Sequence, residues 1–378
     1  MTATYSLTQL IYYFLRLGFT GFGGPVALVG YMHRDLVEQR KWITDEDFKE
    51  GLALAQLAPG PLAAQLAIYL GYIHYKVRGA TLAGVAFVIP SFIIVLVLAY
   101  VYVVAGGLPW MQAAFYGIGA AVIGIIAISS YKLTKKNLGN DWLLWAVAIS
   151  LAVVTFLFER EILWLMLAAG IVVWLLRAPP KFKPRLSGLF SPFLLQASTI
   201  GITSNKLVQI GWFFFKAGAF VFGSGLAIVP FLYGGVVKEN EWLTEQQFMD
   251  AVAVAMITPG PVVITVAFIG YLVGGFPGAC VAALATFLPC YLFTILPAPY
   301  FKKYGKHPGI KEFVNGVTAA AIGAIIGAVL VLGKRQITDW TSALIAIITI
   351  VLLLRVKRIN EPIIILAAAI AGLAIKYI

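Results

Sequence analysis

Two runs of Pro-Gly-Pro, Pro59-Gly60-Pro61 and Pro259-Gly260-Pro261, stand 200 residues apart inside apolar sequence. Two glycine-rich breaks stand the same distance apart: Gly21-Phe22-Gly23-Gly24-Pro25 and Val221-Phe222-Gly223-Ser224-Gly225. In each, Gly or Pro precedes a fresh apolar run, and Pro25, Pro61 and Pro261 suit the first turn of a new helix, where a missing N–H costs nothing. A helix that begins there presents unpaired N–H groups and a partial positive charge, which favour an anion. Glycine lets a ligand approach the backbone closely. The chemistry on offer is therefore the holding of a small anion by backbone amides. Arg16 and Lys216 occupy equivalent positions two residues before Gly18 and Gly218, both in apolar stretches. Intramembrane cations are costly and usually face a pathway, although snorkelling to the interface is the ordinary alternative.

Catalysis is not on offer. Cys280 and Cys290 share one apolar span without zinc or redox spacing, and His33, His74 and His307 lie far apart in loops. No metal-ligand or cofactor pattern is present, and an enzyme is not expected. Glu50 and Asp250 each stand nine residues before a Pro-Gly-Pro, ~13 Å along a helix. They are candidates to carry a coupling proton. The plainer reading is that they continue the acidic first turns begun by Asp45-Glu46-Asp47 and Glu245. Thr44 and Thr244 read as N-caps, and Thr244 with Gln247 as a capping box.

The elements that must position these residues are membrane spans. Hydrophobic residues make up 61% of the 378 and charged residues 12%, about half the charge of a soluble domain. Runs such as Leu82–Val104, Ala113–Ile128, Trp142–Phe158 and Ile363–Ile375 approach or exceed the ~20 apolar residues that cross a bilayer. The segment from Tyr5 has neither a basic n-region nor a cleavage site and is expected to be mature structure. Net charge is +12, but the charges sit in short loops between spans, so the excess orients a membrane protein rather than binding nucleic acid.

The chain is duplicated. Over positions 18–61, 14 of 44 residues are identical to those 200 further on. After a one-residue gap Gly71-Tyr72 faces Gly270-Tyr271, Gly79 faces Gly278, Pro90 faces Pro289, and Gly117 and Gly124 face Gly316 and Gly323. The expected organisation is a repeat over 1–177, a cytoplasmic linker over 178–205 and a second repeat over 206–378. Each half should hold a broken helix (7–23, then 25–40), a pair of short helices meeting at Pro-Gly-Pro (45–57 and 61–75) and four full spans. If the broken helix crosses once and the Pro-Gly-Pro pair is re-entrant, each half crosses five times and the second copy is inverted. That arrangement puts 21 of the 28 Lys and Arg inside and five outside, with Arg16 and Lys216 within spans. Equivalent loops carry complementary charge. Loop 103–110 has no Lys or Arg, whereas 302–311 has four. Lys334-Arg335 is the poor fit. The fold expected is an all-α polytopic protein of the inner membrane, two inverted repeats with discontinuous helices, which is a transporter signature.

Phe22-Gly23-Gly24-Pro25, the loop ending Trp42-Ile43-Thr44, and Gln56-Leu57-Ala58-Pro59-Gly60-Pro61 together resemble the chromate ion transporter family in its long, duplicated form. The resemblance covers nearly the whole chain. It implies chromate export, with sulfate as a related anion, driven by an ion or membrane gradient. The second half departs from the pattern, with Ser224-Gly225 where the first has Gly24-Pro25 and Met256 where the first has Gln56, so the half-sites are expected to be unequal. A helix end contributes up to ~2 kcal/mol to an anion, against tens for complete dehydration. The site is therefore expected to be a hydrated cavity open to one side at a time. An oxyanion-selective channel is the runner-up, and the sequence also allows a homodimer.

Overall fold

The computed structural model describes residues 5–22, 24–105, 109–158, 163–179, 205–221, 228–301, 307–356 and 361–377. They form fourteen α-helices joined by short turns, with no strand among the described residues. In the first half these are α1 (Leu7–Thr20), α2 (Gly24–Met32, continued by a π-helical turn His33–Gln39), α3 (Asp45–Leu57), α4 (Leu62–Ala105), α5 (Pro109–Asn137), α6 (Trp142–Phe158) and α7 (Leu163–Arg177). The second half repeats them as α8 (Lys206–Ala219), α9 (Ile228–Leu232, continued by Tyr233–Glu239), α10 (Glu245–Ile257), α11 (Thr265–Ile295, after a 3-10 turn Val262–Ile264), α12 (Pro308–Gln336), α13 (Trp340–Arg355) and α14 (Glu361–Tyr377). Four of these are long and apolar enough to cross a membrane, in the stretches Leu62–Ala105, Gln112–Asn137, Val262–Tyr300 and Pro308–Gln336.

Local sequence sets the boundaries. Ser6 and Gln9 form a capping box on α1, Thr44 caps α3, and Thr244 with Gln247 boxes α10 as expected. Near its start α4 doubles back at Lys76 (φ 53°), and α11 does so at Gly274 and Gly275. At both reversals two helix legs touch backbone to backbone, Gly71 on Gly79 and Gly270 on Gly278. These matched glycines are there because no side chain fits between the legs.

One expectation is corrected. The broken helix does not continue in one direction past its break. The Tyr13 hydroxyl reaches Asp35 (3.5 Å), Arg40 stacks over Tyr13, and the Tyr5 ring stacks on Trp42 at 4.9 Å. So α2 returns along α1 to the face it started from. The equivalent pair does the same: Lys206 lies over Trp242, and Phe213 packs on Phe231 and Trp242. The reason is that Gly21 ends α1 and a new helix starts with Pro25 at its first turn, so the axis is free to reverse. The Pro-Gly-Pro pair is a hairpin too, with Gly51 of α3 against Tyr69 of α4. Each half thus opens with two helical hairpins, and the helices from the far leg of α4 (or α11) onward reach from face to face.

Following the chain from Tyr5, which bonds His74, one face collects Trp42, Lys76, the end of α5, and the cluster of Asp141, Arg177 and Glu312, where Arg177 holds the Asp141 carboxyl below the usual range. The opposite face collects Trp242, Tyr116 with Asp339, Lys206 and Lys376. Among the described residues, Lys and Arg are more numerous on the first face. The exceptional Arg335 on the second is ion-paired to Glu245, which also takes Lys238 at 3.2 Å. Of the cytoplasmic linker expected over 178–205, residues 180–204 lie outside the described residues.

The halves interlock. The last two helices of each pack on the fifth helix of the other, α13 and α14 on α5, and α6 and α7 on α12. The matched glycines make this possible: Gly117 meets Ala368 and Gly372, while Gly316 meets Ala169 and Gly170; Gly124 meets Ala346, and Gly323 meets Ala148. Small residues let helix backbones approach where lipid offers no hydrophobic drive. Equivalent helices pass one another antiparallel. Thr81, early in the long leg of α4, bonds Tyr291, late in α11 (2.7 Å), and Gly119 of α5 meets Gln336 of α12 while Ile123 meets Gly333.

Candidate functional site

The hairpin tips meet across the halves. The Gly60 N–H donates to the Val221 carbonyl (2.5 Å), and the Gly260 N–H donates to the Gly21 carbonyl (2.9 Å). Each Pro-Gly-Pro thus docks on the first-hairpin tip of the other half. Gly60 has φ +141° and Gly260 φ +94°, a region open to glycine and strained for other residues. A Cβ on Gly60 would lie 2.8 Å from Gln65 and 3.2 Å from Cys290, and one on Gly260 would strike Ser91. These two glycines are fixed by both conformation and space.

Ser91 and Cys290 follow the matched prolines Pro90 and Pro289 and are equivalent. Each sits on the opposite Pro-Gly-Pro. The Ser91 hydroxyl donates to the Pro259 carbonyl at 2.7 Å. A thiol is a weak donor, and the corresponding Pro59 carbonyl is instead bonded by the fully buried Gln65 of its own half, Nε2 at 2.8 Å. Reasoning from sequence missed Ser91, Gln65 and Cys290. The available signal was their place beside the repeat's prolines and the Pro-Gly-Pro.

Between the tips is a cavity of about 10 Å³ lined by Pro25, Leu28, Leu62, Ala63, Val262 and Val263 with their neighbouring prolines and Gly260. The first-turn amides of Leu62 and Ala63, and of Val262 and Val263, have no carbonyl one helical turn back to bond. These, rather than the glycine amides, are the amides left without a helical partner beside the cavity, whose wall is almost wholly apolar. The space holds about one water and is too small for a tetrahedral oxyanion, so the junction is closed in this conformation.

Of the expected site residues, Pro25, Pro59, Gly60, Pro61, Pro259, Gly260 and Pro261 come together here, with half-buried Phe22 beside them and Gly24 opening α2 at the first tip. Gly23 and Phe222, Gly223, Ser224 and Gly225 lie outside the described residues. Gln56 is exposed, whereas its counterpart Met256 is buried. Arg16 and Lys216 are not at the junction. Arg16 lines a groove of about 300 Å³ between α1 and α2, and Lys216 lies over the half-exposed Trp212 ring at 5.8 Å. Glu50 is half-buried. Asp250 is buried, accepts from the Tyr102 hydroxyl and Gln246 (both 2.8 Å), and helps line a polar cavity of about 600 Å³ that includes Gln112, Tyr116, Gln336 and Lys376. No group of three or more potential metal ligands occurs among the described residues.

No solved structure gives a significant match. Curated proteins do match over almost the full length. The chain is 68% identical to the chromate transport protein of Cupriavidus metallidurans over 98% of its own length and 93% of the relative's. It is 60% identical to the probable chromate transport protein of Synechococcus elongatus, over 97% and 95%. The family model described as chromate transporter matches twice, over residues 8–174 and 208–373, one match to each set of hairpins and spans. This chain is a member of the chromate transporter family.

Proposed function

We propose that the protein is a secondary carrier that exports chromate across the inner membrane, holding the anion at the junction of the four hairpin tips. The carrying observation is the reciprocal pair of glycine hydrogen bonds, Gly60 to Val221 and Gly260 to Gly21. It brings helix N-termini from both halves to one point, where their amides favour an anion. Pro25, Pro61, Gly260 and Pro261, with the first-turn residues Leu62, Ala63, Val262 and Val263, form the walls. The antiparallel passage of α5 past α12, and of α4 past α11, supports repeats of inverted topology. The concentration of Lys and Arg on the first face supports a cytoplasmic location for that face.

The closed junction supports a carrier over a channel. So does an imbalance between the halves. From Phe248 to Met256 every residue of α10 is buried, with α5 and α14 packed on it, whereas α3 leaves Lys49 and Gln56 exposed. A two-state carrier needs two such arrangements of equivalent elements, and exchanging them would open the junction to the other face. Uptake of labelled chromate and sulfate into everted vesicles, with and without a proton gradient, tests the reading. Saturable chromate accumulation is expected. Large unitary currents from purified protein would favour the channel instead.

A further inference from the structure

The groove between α1 and α2 is lined by Tyr13, Arg16, Thr20, Tyr31, Arg34 and Arg40, together with Leu17, Asp35 and Gln39. Three guanidinium groups thus face one carboxylate, and that carboxylate is occupied: Arg34 Nε holds Asp35 at 2.9 Å and the Tyr13 hydroxyl reaches it at 3.5 Å. Arg40 lies over the Tyr13 and Trp42 rings, at 5.5 and 4.6 Å, which fixes its position while leaving its N–H edge to bond. The arginines are spread along the hairpin. At 1.5 Å per residue, Arg16 is roughly 7 Å from the tip at Gly21, and Arg34 roughly 15 Å from Gly24 on the other leg. Arg40 stands at the first face. The ladder therefore runs from the water toward the junction, with the Thr20 hydroxyl near its inner end.

Among the described residues, the second hairpin is packed where the first has its groove. Its equivalents of Tyr13, Tyr31, Arg34, Asp35 and Arg40 are Phe213, Phe231, Gly234, Gly235 and Asn240. Phe213 and Phe231 stack at 5.3 Å, and the Phe213 ring lies directly on Gly235. The space that is polar in one half is filled by aromatic rings in the other.

We propose that the first hairpin is an oxyanion-capture groove that loads the carrier from the first face only. Its ligand is a small tetrahedral dianion, drawn by Arg40 and Arg34 and passed inward to Arg16. Guanidinium groups suit this ligand because their planar N–H forks bond oxyanions in pairs. The proposal rests on the transport reading and adds a direction to it: the half that faces the positively charged side carries the receptor, and the half that faces away does not.

The test measures chromate transport in right-side-out and everted vesicles for Arg34→Gln, Arg40→Gln and their Lys counterparts, with Arg78→Gln as a control arginine outside the groove. The expected result is a KM raised about tenfold by each Gln variant when chromate is offered at the first face, with kcat within about twofold. The Lys variants should recover part of the loss, and KM at the second face should not move. Unchanged KM at the first face, or the same change at both faces, overturns the proposal. Anionic lipid headgroups share the ligand's chemistry, so the assay is repeated in reconstituted vesicles of phosphatidylcholine alone and of phosphatidylcholine with phosphatidylglycerol. An arginine effect confined to the phosphatidylglycerol vesicles assigns the groove to lipid phosphate and also overturns it. Titration of sulfate into the solubilised protein separates this idea from the carrier reading. Sulfate binding that the Gln variants weaken, in a protein that moves no chromate, sinks the carrier and keeps the groove; intact chromate transport with no arginine effect does the reverse.

Discussion

The two halves share a backbone plan and differ in what fills it. Both place a hairpin tip on the partner's Pro-Gly-Pro, both fold tightly at paired glycines, and both lend their last two helices to the other half. In the first half the opening hairpin encloses a groove with three arginines, and the following helix keeps an exposed polar edge at Gln56. In the second, Phe213 and Phe231 fill the hairpin and α10 is buried from Phe248 to Met256. Glycine and proline at fixed spacing preserved the joints, while the lining was free to diverge. A duplicated transporter can thus keep matched joints while the side chains between them diverge.

The comparison breaks most severely at the joints. Gly260→Ala and Gly60→Ala force a side chain into positive φ and into Ser91 or Gln65 and Cys290, at ~1–3 kcal/mol of strain each before the clash is counted. Chromate transport should fall at least about tenfold in both, with the protein still inserted. A normal rate in either would mean that its tip contact is dispensable.

The next test sharpens the difference in carbonyl partners. Ser91→Ala strips the Pro259 carbonyl of its donor and Gln65→Leu strips Pro59, each at ~1–3 kcal/mol for a buried unpaired group. Cys290→Ala, at the position equivalent to Ser91, removes only packing and should cost less. Thermal unfolding in detergent reads the order. If Cys290→Ala costs as much as Ser91→Ala, the account of Gln65 as the substitute donor is wrong.

Smaller effects separate the two intramembrane cations. Arg16→Gln should weaken chromate transport several-fold, because Arg16 lines the groove. Lys216→Gln should stay within about twofold, since that ammonium rests on Trp212, where a cation–π contact contributes ~0.5–1 kcal/mol at an exposed site. Equal losses from both in vesicle uptake would restore the symmetry that the sequence alone proposes for them.

Much of this was legible in the sequence because repeats expose backbone constraints. The spacing of Gly18, Pro59-Gly60-Pro61, Gly71, Gly79, Gly117 and Gly124 locates positions where helices break, turn or touch, and it does so twice. Hydropathy found the spans, and Thr44 and Thr244 announced the starts of α3 and α10. The path of the broken helix was not legible. A glycine-proline break permits either a kinked crossing or a reversal, and the choice is made by distant partners such as Tyr13 with Asp35 and Tyr5 with Trp42. The contacts of Ser91 and Cys290 were not legible for a related reason. Nothing local marks a small residue in an apolar span as the partner of a carbonyl 168 residues away. The arginine groove is likewise a product of folding back, since Arg16 and Arg40 lie near each other only in a hairpin.

The most direct test of the central claim is to locate the bound anion. Selenate is a tetrahedral dianion with an electron-dense centre, and an anomalous difference map of crystals grown with it would mark its position. The account predicts a peak between the hairpin tips, within hydrogen-bonding distance of the first-turn amides of Leu62 and Ala63 or of Val262 and Val263. A site fully occupied outside both the junction and the arginine groove, with the tips still closed on one another, would contradict it.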